Sequence, residues 1–229
     1  MIPLKDDNPA ERFPLVTVAL VAANVVAFGW QVFGVGLEQS VLRAGAIPYE
    51  ILTFQDINER NIVAPPLTIL SSMFLHGGLG PIGSNMLILW IFGNNIEDAL
   101  GRARYLFFYV LSGIVAALAQ TIAAAASGDV QVPMVGASGA IAGVLAAYLV
   151  LFPHARVLTL VFVVIFVQLV HVPAGFFIGF WFLLQVLSAV FGGSPGVAFF
   201  AHIGGFVAGY LLVRIVGRRP AWRARRVSW

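Results

Sequence analysis

Six stretches of this chain, about residues 14–34, 82–96, 105–125, 135–152, 174–191 and 198–216, contain between them a single charged side chain, Arg214. That pattern constrains the fold more than anything else in the sequence. A helix needs about 20 apolar residues to cross a bilayer, and backbone groups removed from water must be satisfied internally, which only helices and closed barrels achieve. The stretches do not alternate polar and apolar residues as barrel strands do. Charged residues make up 10% of the chain, against about 25% in soluble domains, too few to clothe a surface facing water. The expected fold class is therefore an all-α polytopic membrane protein with six transmembrane helices, in one membrane domain over 1–229 whose core covers about 14–216.

The connections carry the remaining information. The opening segment, Met1 to Pro14, is polar and interrupted by proline, and the run after it is longer than a signal-peptide core, so it reads as a retained first span. Residues 35 to about 80 form a long loop holding Glu38, Glu50, Asp56 and Glu59, with apolar stretches at Ala44–Pro48 and Leu67–Leu75 that are expected to pack partly into the outer leaflet. The second span is expected to stop at Glu97-Asp98 and is short, which implies local thinning of the bilayer or a start below the headgroups. Val157–Val170 is apolar but too short to cross, and reads as a surface-lying or re-entrant piece.

Charge supplies orientation. Lys5, Arg12, Arg102, Arg104, Arg156 and the six arginines from Arg214 to Arg226 fall on the side assigned inside, leaving only Arg43 and Arg60 outside. This positive-inside bias puts both termini in the cytoplasm. The basic tail, 217–229, is then a cytoplasmic flank for anionic lipid rather than a nucleic-acid site. A short N-terminal flank and the near absence of soluble regions point to a bacterial inner membrane. Cysteine is absent, which removes disulfide and thiolate chemistry.

In this topology Asn85, Ser138 and His202 share one depth, a short way inside the outer face. Polar groups at such depth are costly and mark functional candidates. A serine needs a base to take its proton, and an imidazole with an ordinary pKa of about 6.5 suits that role. The tetrahedral intermediate needs donors for its oxyanion, and the Asn85 amide and the Ser138 backbone N–H are available. No carboxylate lies at that depth, so the pair reads as a Ser-His dyad. Tyr210 shares the His202 run but sits about 12 Å farther in. Each residue also has a plainer reading: Ser138 as a small packing residue, Asn85 as an interhelical hydrogen bond.

Gly139 and Gly143, and Gly205 and Gly209, are spaced four apart and give two helices smooth faces for close approach. Gly136 and Gly204 leave room for a substrate backbone. His154 and His171 fall on the inner side and His76 on the outer, with no cysteine or carboxylate at ligand spacing, so neither a metal nor another cofactor is expected.

Phe74-Leu75-His76-Gly77-Gly78, Asn85-Met86, Gly136-Ala137-Ser138-Gly139 and Ala201-His202-Ile203-Gly204-Gly205-Phe206 with Gly209, in that order, resemble the rhomboid family of intramembrane serine proteases. The resemblance implies a six-helix bundle with a partly membrane-associated first loop and a cavity open to the outer side. It implies a nucleophile at Ser138, a general base at His202, an oxyanion donor at Asn85 and a structural role for His76. Its implied partners are single-pass transmembrane substrates, admitted beside the fifth span and cut near the outer end of a helix weakened by Gly, Ala or Pro. Pro81 departs from the pattern, standing where many members carry a further oxyanion histidine. That departure keeps open a relative with little activity that binds membrane clients, and neutral-solute transport also stays open on the residues alone.

Overall fold

A computed structural model describes the protein over residues 1–57, 61–163, 166–193 and 196–216. The basic tail, together with Glu59 and Arg60 of the first loop, lies outside the described residues. The chain opens with a strand, β1 (Ile2–Asp6), followed by α1 (Leu15–Trp30), which a π-helical turn extends through Gln31–Val35. Three short helices fold the first loop: α2 (Leu37–Ala44), α3 (Pro48–Thr53) and α4 (Thr68–Ser72). Then come α5 (Leu79–Leu100), α6 (Arg102–Ser127) and α7 (Ser138–Leu151), a hairpin of β2 (Arg156–Val163) and β3 (Phe166–Pro173), and finally α8 (Ala174–Phe191) and α9 (Phe199–Val216).

Among the described residues four helices are long and apolar enough to cross a membrane: Leu15–Val35, α6, α8 and α9. The protein is thus an integral membrane protein, mostly helical. The apolar α7 is shorter, with 14 residues, and α5 carries Asn94, Asn95, Glu97 and Asp98 in its last two turns.

Two expectations are corrected. The second helix does not stop at Glu97-Asp98 but runs from Leu79 to Leu100. Glu97 is buried because its carboxylate accepts the N–H groups of Val16 and Thr17, at 2.9 and 2.8 Å, and the Thr17 hydroxyl at 2.9 Å. It thereby caps the first turn of α1 from a neighbouring helix, where an anionic acceptor suits unpaired N–H groups and the positive helix end. Gly101, at φ 80°, then turns the chain into α6.

The all-α expectation also misses a sheet. Val157–Val170 lies within the β2–β3 hairpin, in register from Arg156↔Pro173 to Val163↔Phe166, and β1 adds antiparallel to β2. Val157 and Thr159 are fully buried while Leu158 and Leu160, which alternate with them, are half-buried, the period of two expected of a strand with one face on the core. Two side chains tie this sheet to the helices: Asp6 accepts from Asn95 Nδ2 at 2.8 Å and from the Tyr148 hydroxyl at 2.6 Å. The polar N-terminal segment is therefore part of the fold.

Part of the first loop packs on protein. Ala44, Ala46, Ile47, Ile69, Met73 and Leu75 are buried, and Ala46 pairs with Met134 in a short antiparallel bridge. This brings the loop against the segment that leads into α7. Leu52, Phe54, Leu67 and Leu70 remain exposed.

Candidate active site

Side-chain size decides how α6, α7 and α9 meet. A Cβ on Gly205 would lie 1.9 Å from the Gly139 carbonyl oxygen, and one on Gly209 would lie 2.3 Å from that of Gly143. The backbones of α7 and α9 are therefore in direct contact, as small residues four apart allow. A Cβ on Gly139 would meet Ala116 Cβ at 2.5 Å, and one on Gly143 would meet Ser112 Oγ at 2.6 Å. Gly204, expected to leave room for substrate, instead faces α6, where its Cβ would lie 2.4 Å from that of Ala119.

This contact sets Ser138, the first residue of α7, beside His202, in the first turn of α9. The Ser138 hydroxyl and His202 Nε2 are 2.8 Å apart. The start of α9 is fixed from the side as well, because the Ala201 N–H donates to Gln120 Oε1 on α6 at 3.3 Å. Phe199 meets the His202 ring edge-on at 6.2 Å, and Trp181 of α8 lies 5.8 Å from it.

The donors assemble around Gly136. Its N–H is held by the Ser72 carbonyl at 2.9 Å, and its φ of 124° suits glycine alone. A Cβ there would sit 3.6 Å from Ser138 Oγ, 3.8 Å from Asn85 Nδ2 and 3.9 Å from the Ser138 nitrogen. The missing methyl thus leaves a space facing one hydroxyl and two N–H donors. The Ser138 N–H opens a helix and has no intrahelical acceptor, and the helix end adds positive potential.

Asn85 is itself held. Its Nδ2 donates to His76 Nε2 at 3.0 Å, and the fully buried His76 is fixed through its backbone by Gln31 of the π turn, which accepts the His76 N–H at 2.9 Å and donates to its carbonyl at 3.1 Å. Burial holds the His76 imidazole below its ordinary value of 6.5, which keeps it neutral and able to accept from Asn85. A cavity of about 420 Å³ opens onto Ser138, His202, Asn85, His76 and Gly136, with Pro81 and Trp181 in its wall.

One polar group here escaped the sequence reading. Gln185 of α8 places Oε1 2.8 Å from His202 Nδ1, while its Nε2 donates to the Trp181 carbonyl at 3.2 Å. It is the lone amide of the apolar run 174–191, so the reasoning that singled out Asn85 applied equally to it. Tyr210 is turned to Arg214, whose guanidinium donates to its hydroxyl and lies 4.0 Å over its ring. His171 pairs with Leu158 in the hairpin. Among the described residues no group of three or more histidine or acidic side chains is placed to hold a metal.

A helical membrane protein with a serine hydroxyl against an imidazole, beside a glycine-lined space, is the setting in which the comparisons with known proteins fall. The rhomboid domain model matches residues 65–219, and the chain belongs to the rhomboid family. It is similar to Rhomboid protein 1, mitochondrial, of Saccharomyces cerevisiae, 30% identical over 204 residues, or 84% of this chain and 51% of that one. It is also similar to the human Presenilin-associated rhomboid-like protein, mitochondrial, 27% identical over 210 residues, covering 90% of this chain and 49% of the relative. RHOMBOID-like protein 1 of Arabidopsis thaliana is 25% identical over 240 residues, 92% of this chain and 55% of the relative. The chain spans about half the length of these curated relatives.

Proposed function

We propose that the protein is an intramembrane serine endopeptidase that cleaves transmembrane substrates near the outer membrane face. The observation that carries this reading is the 2.8 Å contact between Ser138 Oγ and His202 Nε2 beside the space left by Gly136, in a chain of the rhomboid family. His202 takes the proton as Ser138 Oγ attacks the scissile carbonyl. The oxyanion occupies the space before Gly136, facing Asn85 Nδ2 and the Ser138 N–H. His202 then protonates the leaving amine, and water entering through the cavity hydrolyses the acyl-serine. His76 holds the Asn85 amide in place, which supports oxyanion binding although Pro81 stands where a further histidine is expected.

The same proposal includes a bundle of six crossings, with α5 and α7 as the two shorter ones, and a first loop touching lipid through Phe54, Leu67 and Leu70. The sheet end carries Lys5, Arg12, Arg102, Arg104 and Arg156, so it faces the cytoplasm and the serine faces outward. We place the protein in a bacterial inner membrane, although the names of two relatives are mitochondrial.

The test is cleavage of a single-pass reporter, with Ala and Gly at its outer end, by the full chain in liposomes. Wild type cuts it, whereas Ser138→Ala and His202→Ala do not. Equal cleavage by Ser138→Ala removes the proposal. Reporter binding without cleavage by wild type points instead to a client-binding relative, the reading that Pro81 favours.

A further inference from the structure

We propose that Gln185 completes the site as a positioning residue, holding His202 in the one tautomer and ring orientation in which it can act as a base; this rests on the Ser138–His202 reading above. Donors and acceptors fix the orientation of the amide. The Gln185 side chain has two neighbours, a backbone carbonyl at 3.2 Å and an imidazole nitrogen at 2.8 Å. A carbonyl oxygen accepts only, so the group facing Trp181 must be the NH2, and the group facing His202 Nδ1 must be the amide oxygen. An acceptor at Nδ1 requires the proton there. In a neutral ring that leaves a lone pair on Nε2, the nitrogen 2.8 Å from the Ser138 hydroxyl. The α-helix of Trp181 thus dictates, through one side chain, which histidine nitrogen is basic.

The neutral amide also fits its surroundings. α8 carries no charged residue, with Gln185 as its one amide, and a carboxylate in the same place would carry the larger cost of a charge in an apolar segment. An amide fixes the tautomer and ring as a carboxylate does but offers the imidazolium no countercharge. In chymotrypsin-type enzymes, losing the orienting aspartate lowers kcat about 10⁴-fold, largely through the wrong tautomer. Loss of a neutral partner should therefore cost less, roughly 10- to 100-fold in kcat, with KM almost unchanged because Gln185 faces His202 rather than the cavity.

The experiment uses the full chain in liposomes, with the transmembrane reporter, comparing wild type with Gln185→Met, which keeps the volume and loses the acceptor, and Gln185→Glu, which keeps an acceptor. In parallel, ¹⁵N NMR of histidine-labelled protein reads the His202 tautomer directly, with the signal assigned by its loss in His202→Ala. The expected result is protonated Nδ1 and bare Nε2 in wild type, a mixed or reversed tautomer in Gln185→Met with lowered kcat, and rescue toward wild type by Gln185→Glu. Protonated Nε2 in wild type overturns the proposal even if Gln185→Met does not fold, and so does a Gln185→Met kcat within twofold of wild type. Full activity of Ser138→Ala would instead remove the parent reading. An inactive Ser138→Ala beside a fully active Gln185→Met leaves that reading standing and discards Gln185 alone.

Discussion

The helix pair α7–α9 and the helix α8 sit side by side around the same cavity and are built in opposite ways. Between α7 and α9 the glycines bring backbone against backbone, so close that a methyl on Gly205 would lie 1.9 Å from a carbonyl oxygen of the partner helix. In α8 the buried residues are Ala174, Phe177 and Ile178, all in its first turns, and Gly179 has nothing within 4 Å of where a Cβ would be. The difference separates two kinds of requirement. A nucleophile and its base must hold a fixed distance, and close-packed interiors deform little; the proposed pair, Ser138 and His202, stands on the two helices in backbone contact. Gln185, proposed to orient His202, reaches it from a sparsely packed helix.

The contrast can be broken in order of effect. Gly205→Val should be the most damaging change, costing about 3 kcal/mol or more through overpacking against the Gly139 carbonyl, read as a loss of Tm in detergent together with all cleavage. An unchanged Tm would mean that the helices are not locked. Gly136→Ala should act on folding and chemistry together, because an L side chain strains the backbone at φ 124° and the methyl enters the space shared by Ser138 Oγ and Asn85 Nδ2. It should lower kcat/KM by about 100-fold, or about 2.7 kcal/mol of transition-state stabilisation, and a tenfold or smaller loss would move the oxyanion elsewhere.

A smaller effect should appear with pH at the rim of the rigid region. His76 is held below its ordinary value of 6.5 by burial, so the unfolded chain binds the proton more readily than the folded one. Its contribution to stability is complete above 6.5 and falls away as pH drops toward the folded value. The Tm of wild type should therefore decline below pH 6.5 more steeply than that of His76→Gln, and parallel curves would contradict the buried neutral imidazole. Smallest of all, Gly179→Ala should change stability by less than about 1 kcal/mol, toward a more stable helix. A large loss of Tm there would show that α8 is as tightly packed as its neighbours.

The same contrast explains what was legible in the sequence. Ser138, His202 and the glycines at 139, 143, 205 and 209 belong to regular helices, where spacing translates into faces, and so their proximity could be anticipated from topology. The continuation of α5 through Glu97 could not, because the reason for it is a contact with the start of α1. The hairpin over Arg156–Pro173 was hidden by its composition: a run apolar on both faces reads the same by length whether it forms a strand or part of a helix. Gln185 was visible as a letter but not as a partner, since only the crossing of α8 with α9 brings it to Nδ1. The His76–Asn85 contact likewise depends on Gln31, 45 residues away from the histidine it holds.

In the proposed mechanism Ser138 is a nucleophile made reactive by His202. The most direct measurement is labelling of the protein in membranes by a serine-reactive fluorophosphonate, with the modified peptide located by mass spectrometry. The adduct should fall on Ser138 and disappear in His202→Ala, while Asn85→Ala, which lacks only an oxyanion donor, should label more slowly. An adduct on another serine, or labelling of Ser138 that is indifferent to His202, would contradict it.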